Sequence, residues 1–250
     1  MEKNKYLILG ASSDIGIAYI KDLDERLSVK GENAAVVAHF GFKGDRLQEL
    51  KNDLRAVEVL PVQADLSQPD GVMPVLKFAE EHMDCPDYIL HLPASRLMYQ
   101  KLKQFDWENV LRDMNVQVGS FAETCRVFLP RMAKRRSGRV AVMLSSCTIG
   151  MPPKFLSQYV TVKYALLGMM KAMAAEYGDK GIGINGISPN MIETQFLQNV
   201  DERIVELNRE NCLQKRNVKV EEVVAAIRYL LSEDAAYVNG VDLNLTGGDR

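Results

Sequence analysis

Seven strand-length runs alternate with helix-length stretches along this chain, and that rhythm limits its fold more than any other feature. The runs are Tyr6–Leu9, Ala34–Ala38, Val57–Val62, Tyr88–Leu92, Val140–Leu144, Ile182–Ile187 and Val241–Leu245. The first five are apolar almost without interruption, so both of their faces must meet protein, as in a parallel sheet covered on both sides. Between them lie helical patterns from Ile15 to Leu27, through Leu47, Leu50 and Leu54, and around 105–135 and 157–178. The alternation predicts an α/β fold: a doubly wound parallel sheet of about seven strands, with helices on both faces and right-handed crossovers. No break in composition divides the 250 residues, so 1–250 reads as a single domain. The polar, helix-compatible segment 194–218 lies between the last two strands. It is expected to cover a ligand at the carboxyl edge of the sheet, with a surface helical hairpin as the alternative.

The formal net charge of −2 and the lack of a basic block argue against nucleic acid or an anionic membrane as an obligatory partner. Cys85, Cys125, Cys147 and Cys212 are scattered without a C-x-x-C pair, and the chain has three histidines, so no metal site is expected. Scattered cysteines suit a reducing compartment. There is no signal-peptide core and no run of about twenty apolar residues, so a cytoplasmic location is the expectation.

Behind the first strand, Gly10-Ala11-Ser12-Ser13-Asp14-Ile15-Gly16 opens the first helix. A glycine turn in this place lets backbone amides and the positive helix end approach a pyrophosphate, making Gly10, Ser12, Ser13, Ile15 and Gly16 candidate cofactor contacts. Asp14 is awkward there, since its carboxylate repels phosphate. It is expected to cap the helix with its oxygens turned away. After the second strand no acid lies between Val36 and Gly44 to hold a ribose 2′-hydroxyl, whereas Lys43 and Arg46 are close by. This favours NADP(H), with Lys43 on the extra phosphate; NAD(H) stays open, as does a plain solvated role for Lys43.

Tyr159 and Lys163 stand four apart on a helix predicted from about Ser157, so phenol and ammonium share one face. A free tyrosine titrates near pH 10, and a neighbouring cation is expected to lower that value toward general acid–base use. Ser145 and Ser146 end the fifth strand at the ligand-binding edge. Ser146 is the expected donor to a substrate oxygen, and strand-end capping is the alternative for both serines.

Taken in order, these motifs resemble the short-chain dehydrogenase/reductase family in its compact, single-domain Rossmann-like branch, and within it the 3-oxoacyl-carrier-protein reductases. Gly10–Gly16 is similar to the family's glycine-rich turn, and Asp65, followed by Leu66, to its adenine-binding aspartate. Asn115 resembles the helix asparagine of the catalytic tetrad, and Ser146, Tyr159 and Lys163 its other members, the serine thirteen residues before the tyrosine. Pro189 to Thr194 resembles the segment that closes over the nicotinamide, which points to Ile192 and Thr194. Asn239-Gly240 and Gly247-Gly248 resemble the family's terminal strand.

The resemblance implies hydride transfer between nicotinamide and a carbonyl/alcohol pair. Tyr159 would be the acid/base and Ser146 would orient the carbonyl. Lys163 would hold the nicotinamide ribose and lower the tyrosine pKa, and Asn115 would anchor a proton-relaying water. An NADPH-dependent 3-oxoacyl-type reductase is the leading expectation. The alternatives are an NAD-dependent dehydrogenase of a sugar, steroid or other secondary alcohol and, from a different class, a non-catalytic cofactor-binding sensor. The substrate is expected to be a small or carrier-bound carbonyl or alcohol. A homotetramer or homodimer is implied, pairing helices that carry Val118, Phe121, Leu166, Met169 and Met170. Three departures stand out. Asp14 replaces the middle glycine, and His91-Leu92-Pro93-Ala94 replaces the family's Asn-Asn-Ala-Gly, leaving Leu92 as the cofactor contact there. Asn190 replaces a glycine whose backbone angles asparagine tolerates best.

Overall fold

The computed structural model describes residues 3–248. Strands β1 (Asn4–Leu9), β2 (Ala34–Phe40), β3 (Val57–Gln63), β4 (Tyr88–His91), β5 (Gly138–Met143), β6 (Ile182–Pro189) and β7 (Asp242–Leu245) form one sheet in the order β3-β2-β1-β4-β5-β6-β7. Every pairing is parallel. Order reverses beside β1, and the cleft at that switch point, beyond the carboxyl ends of β1 and β4, is where such sheets bind ligands.

Both faces of the sheet are buried, which explains the uninterrupted apolar runs. In β1, Leu7 and Leu9 enter one core, and Tyr6 and Ile8 enter the other. The first core is closed by α3 (Met73–Met83), α5 (Ser120–Arg135) and α6 (Ser157–Tyr177), through Leu76, Phe121, Phe128 and Leu166. The second is closed by α1 (Asp14–Lys30), α2 (Asp45–Asp53) and α8 (Val220–Leu230), through Tyr19, Leu23, Leu47 and Ile227.

The helix expected over 105–135 is interrupted. It begins as α4 (Trp107–Met114), widens into a π-turn at Asn115–Gly119, and continues as α5. Such turns shift side chains out of α-helical register and recur at functional sites. Of the residues expected to pair with another copy, Phe121, Leu166 and Met170 are fully buried inside the subunit, Val118 nearly so, and Met169 packs against the same core. They fill the chain's own core.

Asp24 is a buried carboxylate on α1 whose Oδ1 accepts the backbone N–H groups of Arg55, Ala56 and Val57 at 2.9, 2.7 and 2.9 Å. It thus satisfies the amides leading into β3. Asp24→Ala strands them and is expected to cost about 3 kcal/mol, or roughly 6–12 °C in Tm for a chain of this size. Thermal unfolding of the variant checks this; an unchanged Tm contradicts it.

Candidate active site

The site is built from the glycine turn outward. Gly10 has φ +74°, and a Cβ there would lie 3.1 Å from the Pro93 nitrogen. At Gly16 a Cβ would lie 2.5 Å from the Ala11 carbonyl oxygen, so the tight turn demands glycine at both places. Ser13 is the helix N-cap, its Oγ accepting the Gly16 N–H at 3.1 Å. The capping role expected of Asp14 therefore belongs to Ser13, one residue earlier. Asp14 instead turns outward, 2.8 Å from Arg46 Nη1, and accepts the Gln195 N–H at 2.8 Å. His39 braces the turn from β2: its Nδ1 accepts the Gly10 N–H and its Nε2–H donates to the Ala64 carbonyl, both at 3.1 Å. Burial lowers the His39 pKa, which keeps the ring neutral and preserves both bonds.

A cavity of about 1000 Å³ runs from this turn along the carboxyl edge of the sheet. Ser12, Ser13, Asp14, Ile15 and Arg46 line one end, Leu92 and Lys163 its floor, and Asn190, Ile192 and Thr194 its far wall. A glycine turn that excludes Cβ atoms, open to an elongated cleft at a helix N-terminus, suits a dinucleotide. Asp65 is exposed at the end of β3, its Oδ1 accepting the Ser67 N–H at 3.0 Å, which holds its carboxyl below the usual range. Neither Asp65 nor the buried Leu66 lines the cavity. Lys43 is exposed and also outside it; the cation that does reach the cleft from this side is Arg46.

At the other end, α6 carries Tyr159 and Lys163 into the cavity beside Ser145 and Ser146. The Ser145 hydroxyl neighbours the Tyr159 phenol and favours its charged form, while Ser146 opens a 3₁₀ turn and also lines the cavity. Lys163 is buried, and its Nζ donates to the Met143 carbonyl at 2.9 Å while lying 5.7 Å from the Tyr159 ring centroid. Burial pushes Lys163 down to about 8. Tyr159 is raised above the ordinary phenol range, burial being the largest cause and the Ser145 hydroxyl opposing it. The lowering expected from Lys163 is not seen, because desolvation dominates and the ammonium is turned to a backbone carbonyl. Asn115 sits outside the cavity wall in the π-turn, its Nδ2 donating to the Ser67 carbonyl at 2.9 Å.

Segment 194–218 folds as a 3₁₀ turn (Gln195–Leu197) and α7 (Glu202–Asn211), and both reach the cavity. The Phe196 ring centroid is 6.4 Å from that of Tyr159. The cavity that holds the phenol is lined by apolar Leu97, Ile149, Met151, Pro153 and Leu156 and by polar Arg96, Gln198, Asn208 and Lys215. Tyr99 also lines it; no sequence signal marked this residue, and its buried Oη has no partner. The end of the segment is tied down by Leu213 and Gln214 N–H groups donating to Gly248 and Gly247 carbonyls at 3.3 Å each.

Asn190 does not use a left-handed φ. It keeps ordinary backbone angles, and its Oδ1 accepts the Met191 N–H at 2.9 Å. Asn239 pins the sheet, accepting from Ile184 N–H at 3.0 Å and donating to the Ala174 carbonyl at 2.8 Å. His91 is fully buried with Nε2 2.9 Å from Ser120 Oγ, and burial pushes it down to about 3. It is a neutral structural group away from the cavity. Among the described residues no cluster of three His, Cys, Asp or Glu side chains could hold a metal ion, and no helix is long and apolar enough to cross a membrane.

This fold and site define a nicotinamide-dependent oxidoreductase acting on a CH–OH/C=O pair. A family model described as enoyl-(acyl carrier protein) reductase matches residues 10–249, and the chain belongs to the short-chain dehydrogenase/reductase family. Among its relatives, glucose 1-dehydrogenase 2 of Bacillus subtilis (strain 168) is 31% identical, over 97% of this chain and 93% of that one. A 3-oxoacyl-[acyl-carrier-protein] reductase of Staphylococcus epidermidis (strain ATCC 12228 / FDA PCI 1200) is 24% identical over 97% of each chain. The structure of a 3-oxoacyl-[acyl-carrier protein] reductase with bound NAD from Brucella melitensis superposes with a TM-score of 0.83 at 22% identity, covering 99% of this chain and 91% of that one.

Proposed function

We propose that this oxidoreductase is an NADPH-dependent reductase of 3-oxoacyl-type carbonyls. The observation that carries the reading is the set of apolar side chains that line the cavity together with Tyr159: Leu97, Ile149, Met151, Leu156 and Phe196. They suit an acyl chain, while Arg96, Gln198, Asn208 and Lys215 in the same lining offer the hydrogen-bonding groups that a sugar needs. Those polar groups and the B. subtilis relative favour a second reading, oxidation of a sugar hydroxyl. The raised Tyr159 pKa keeps the phenol protonated at neutral pH, the form that donates in reduction.

When bound, the nicotinamide supplies the hydride. The protein's own part begins with Tyr159, whose Oη gives its proton to the carbonyl oxygen as charge develops there. Ser146 donates a hydrogen bond to the same oxygen, and Ser145 holds the phenol in place. Lys163 anchors the nicotinamide ribose and favours the phenolate left behind. Asn115 is a positioning residue that fixes the π-turn against Ser67 and holds a water in reach of Lys163. Ser12, Ser13 and Ile15 receive the pyrophosphate, and Ile192 and Thr194 the nicotinamide. Arg46, which lines the cleft at the turn, is the cation for a 2′-phosphate and shares its charge with Asp14. A second copy is proposed to pack on the outer faces of α4 and α6, where Leu111 and Tyr164 are exposed, giving a homodimer or homotetramer.

Fluorescence titration tests the cofactor assignment. NADPH is expected to bind at least about tenfold tighter than NADH, a difference of about 1.4 kcal/mol. Equal affinities overturn the preference, and no binding of either at millimolar concentration overturns the oxidoreductase reading.

A further inference from the structure

We propose that Asp14 is a positioning residue that latches the cap of the cavity onto the dinucleotide turn. The inference deepens the function proposed above, and its cofactor-release arm rests on that reading.

Asp14 stands at the first position of α1, beside the helix amides that would receive a pyrophosphate. Its two oxygens are both engaged elsewhere. Oδ1 lies 2.8 Å from Arg46 Nη1, and Oδ2 accepts the N–H of Gln195, 181 residues along the chain, at 2.8 Å. Arg46 Nη1 also lies 3.3 Å from the Ser12 carbonyl, so the guanidinium neutralises Asp14 and fastens to the turn itself. An acid that would repel a dinucleotide is thereby masked.

The cap's remaining bonds near this point run elsewhere. Thr194 and Leu197 N–H groups donate to the Ile192 and Thr194 carbonyls at 2.8 and 3.0 Å, within the cap itself. Asn217 Nδ2 donates to Glu193 at 2.7 Å, joining the two ends of the segment. Among the described residues, Gln195 to Asp14 is the one hydrogen bond from 194–211 to the turn. The next residue, Phe196, carries the ring that packs against Tyr159. The latch therefore sets where the roof of the active site lies. Cutting it should loosen retention of cofactor and substrate while leaving the proton-transfer groups untouched.

Three variants separate the latch from a general structural role. Asp14→Ala removes both bonds. Asp14→Asn drops the charge but keeps an oxygen for the Gln195 N–H. Gln195→Pro removes that N–H together with the Gln195 side chain but leaves the Asp14–Arg46 pair intact, and the extended backbone of Thr194 (φ −130°, ψ 175°) suits a following proline. Hydrogen exchange of cofactor-free protein reads the contact directly. The Gln195 amide is expected to exchange about tenfold faster in Asp14→Ala, and close to the wild-type rate in Asp14→Asn. Stopped-flow release of NADPH is expected to be about tenfold faster in Asp14→Ala and in Gln195→Pro, with KM raised and kcat unchanged or higher. Exchange and release within about twofold of wild type in Asp14→Ala overturn the latch, as does a loss of kcat at unchanged KM in that variant. Failure of the reductase reading looks different: wild type itself binds neither NADPH nor NADH, and the exchange arm still decides whether the latch exists.

Discussion

Tyr159→Phe is expected to lower turnover of a 3-oxoacyl ester by at least about 10³-fold, the scale of a lost general acid, while NADPH binds as before. The phenol is half-buried in the cavity wall, neighboured by Ser145 and roofed by Phe196. Removing one oxygen leaves the ring and its packing in place, so the loss isolates proton transfer. Burial holds Tyr159 above the ordinary phenol range, so it remains protonated across neutral pH. The reductive rate should accordingly fall with rising pH only on the alkaline side. Steady-state kinetics with a parallel binding titration measure both quantities. A variant that keeps most of its turnover would show that another group, with Ser146 or Tyr99 first to test, delivers the proton, and would revive the reading of a cofactor-binding protein without this chemistry.

Lys163→Met is expected to move activity and stability in opposite directions. Turnover should fall by about 10³-fold or more, because the group proposed to hold the ribose and favour the phenolate is gone. Stability should rise, because wild type keeps an ammonium almost wholly out of water, with a backbone carbonyl as its one hydrogen-bond partner. Burial pushes Lys163 from 10.5 down to about 8. After allowance for the Met143 carbonyl left without its donor, the gain is about 2 kcal/mol, or roughly 4–8 °C in Tm.

The pH dependence follows from the same displacement. Below about 8 both folded and unfolded chains hold the lysine proton, and the folded state bears the full cost of the buried charge. Between about 8 and 10.5 the unfolded chain binds more protons than the folded one, so wild-type stability from this group rises with pH. The variant's advantage is thus largest near neutrality and shrinks as pH climbs toward 10.5. Thermal melts at pH 7 and pH 10 check it; a variant less stable at pH 7 would mean that the Met143 bond outweighs desolvation.

Much of this was legible before any coordinates. Uninterrupted apolar runs such as Leu7-Ile8-Leu9 betray a strand buried on both faces, because alternate side chains enter separate cores. Gly10 and Gly16 were legible because backbone approach in the turn excludes a Cβ. What stayed hidden depends on which distant groups meet. The capping preference of Asp and Ser is nearly equal, so the sequence could not say that Ser13 caps while Asp14 reaches Gln195. The π-turn at Asn115 has no simple periodic signature, and it divides what reads as one helix. Spacing marks Ser146 as the donor to a substrate oxygen, and no pattern in the residues shows that the Ser145 hydroxyl neighbours the phenol. The local charge rule predicted a lowered tyrosine pKa and missed burial, which only the tertiary fold supplies.

We propose NADPH-dependent carbonyl reduction with Tyr159 as the proton donor. Its most direct test uses NADPH in which both hydrogens at the nicotinamide C4 position are deuterium. The wild-type protein is incubated with it and a 3-oxoacyl ester, and the product is read by mass spectrometry. The account predicts a 3-hydroxyacyl product with one deuterium on the carbinol carbon, and none from Tyr159→Phe over the same time. No labelled alcohol from wild type that binds NADPH, or equal labelling by the variant, would contradict it.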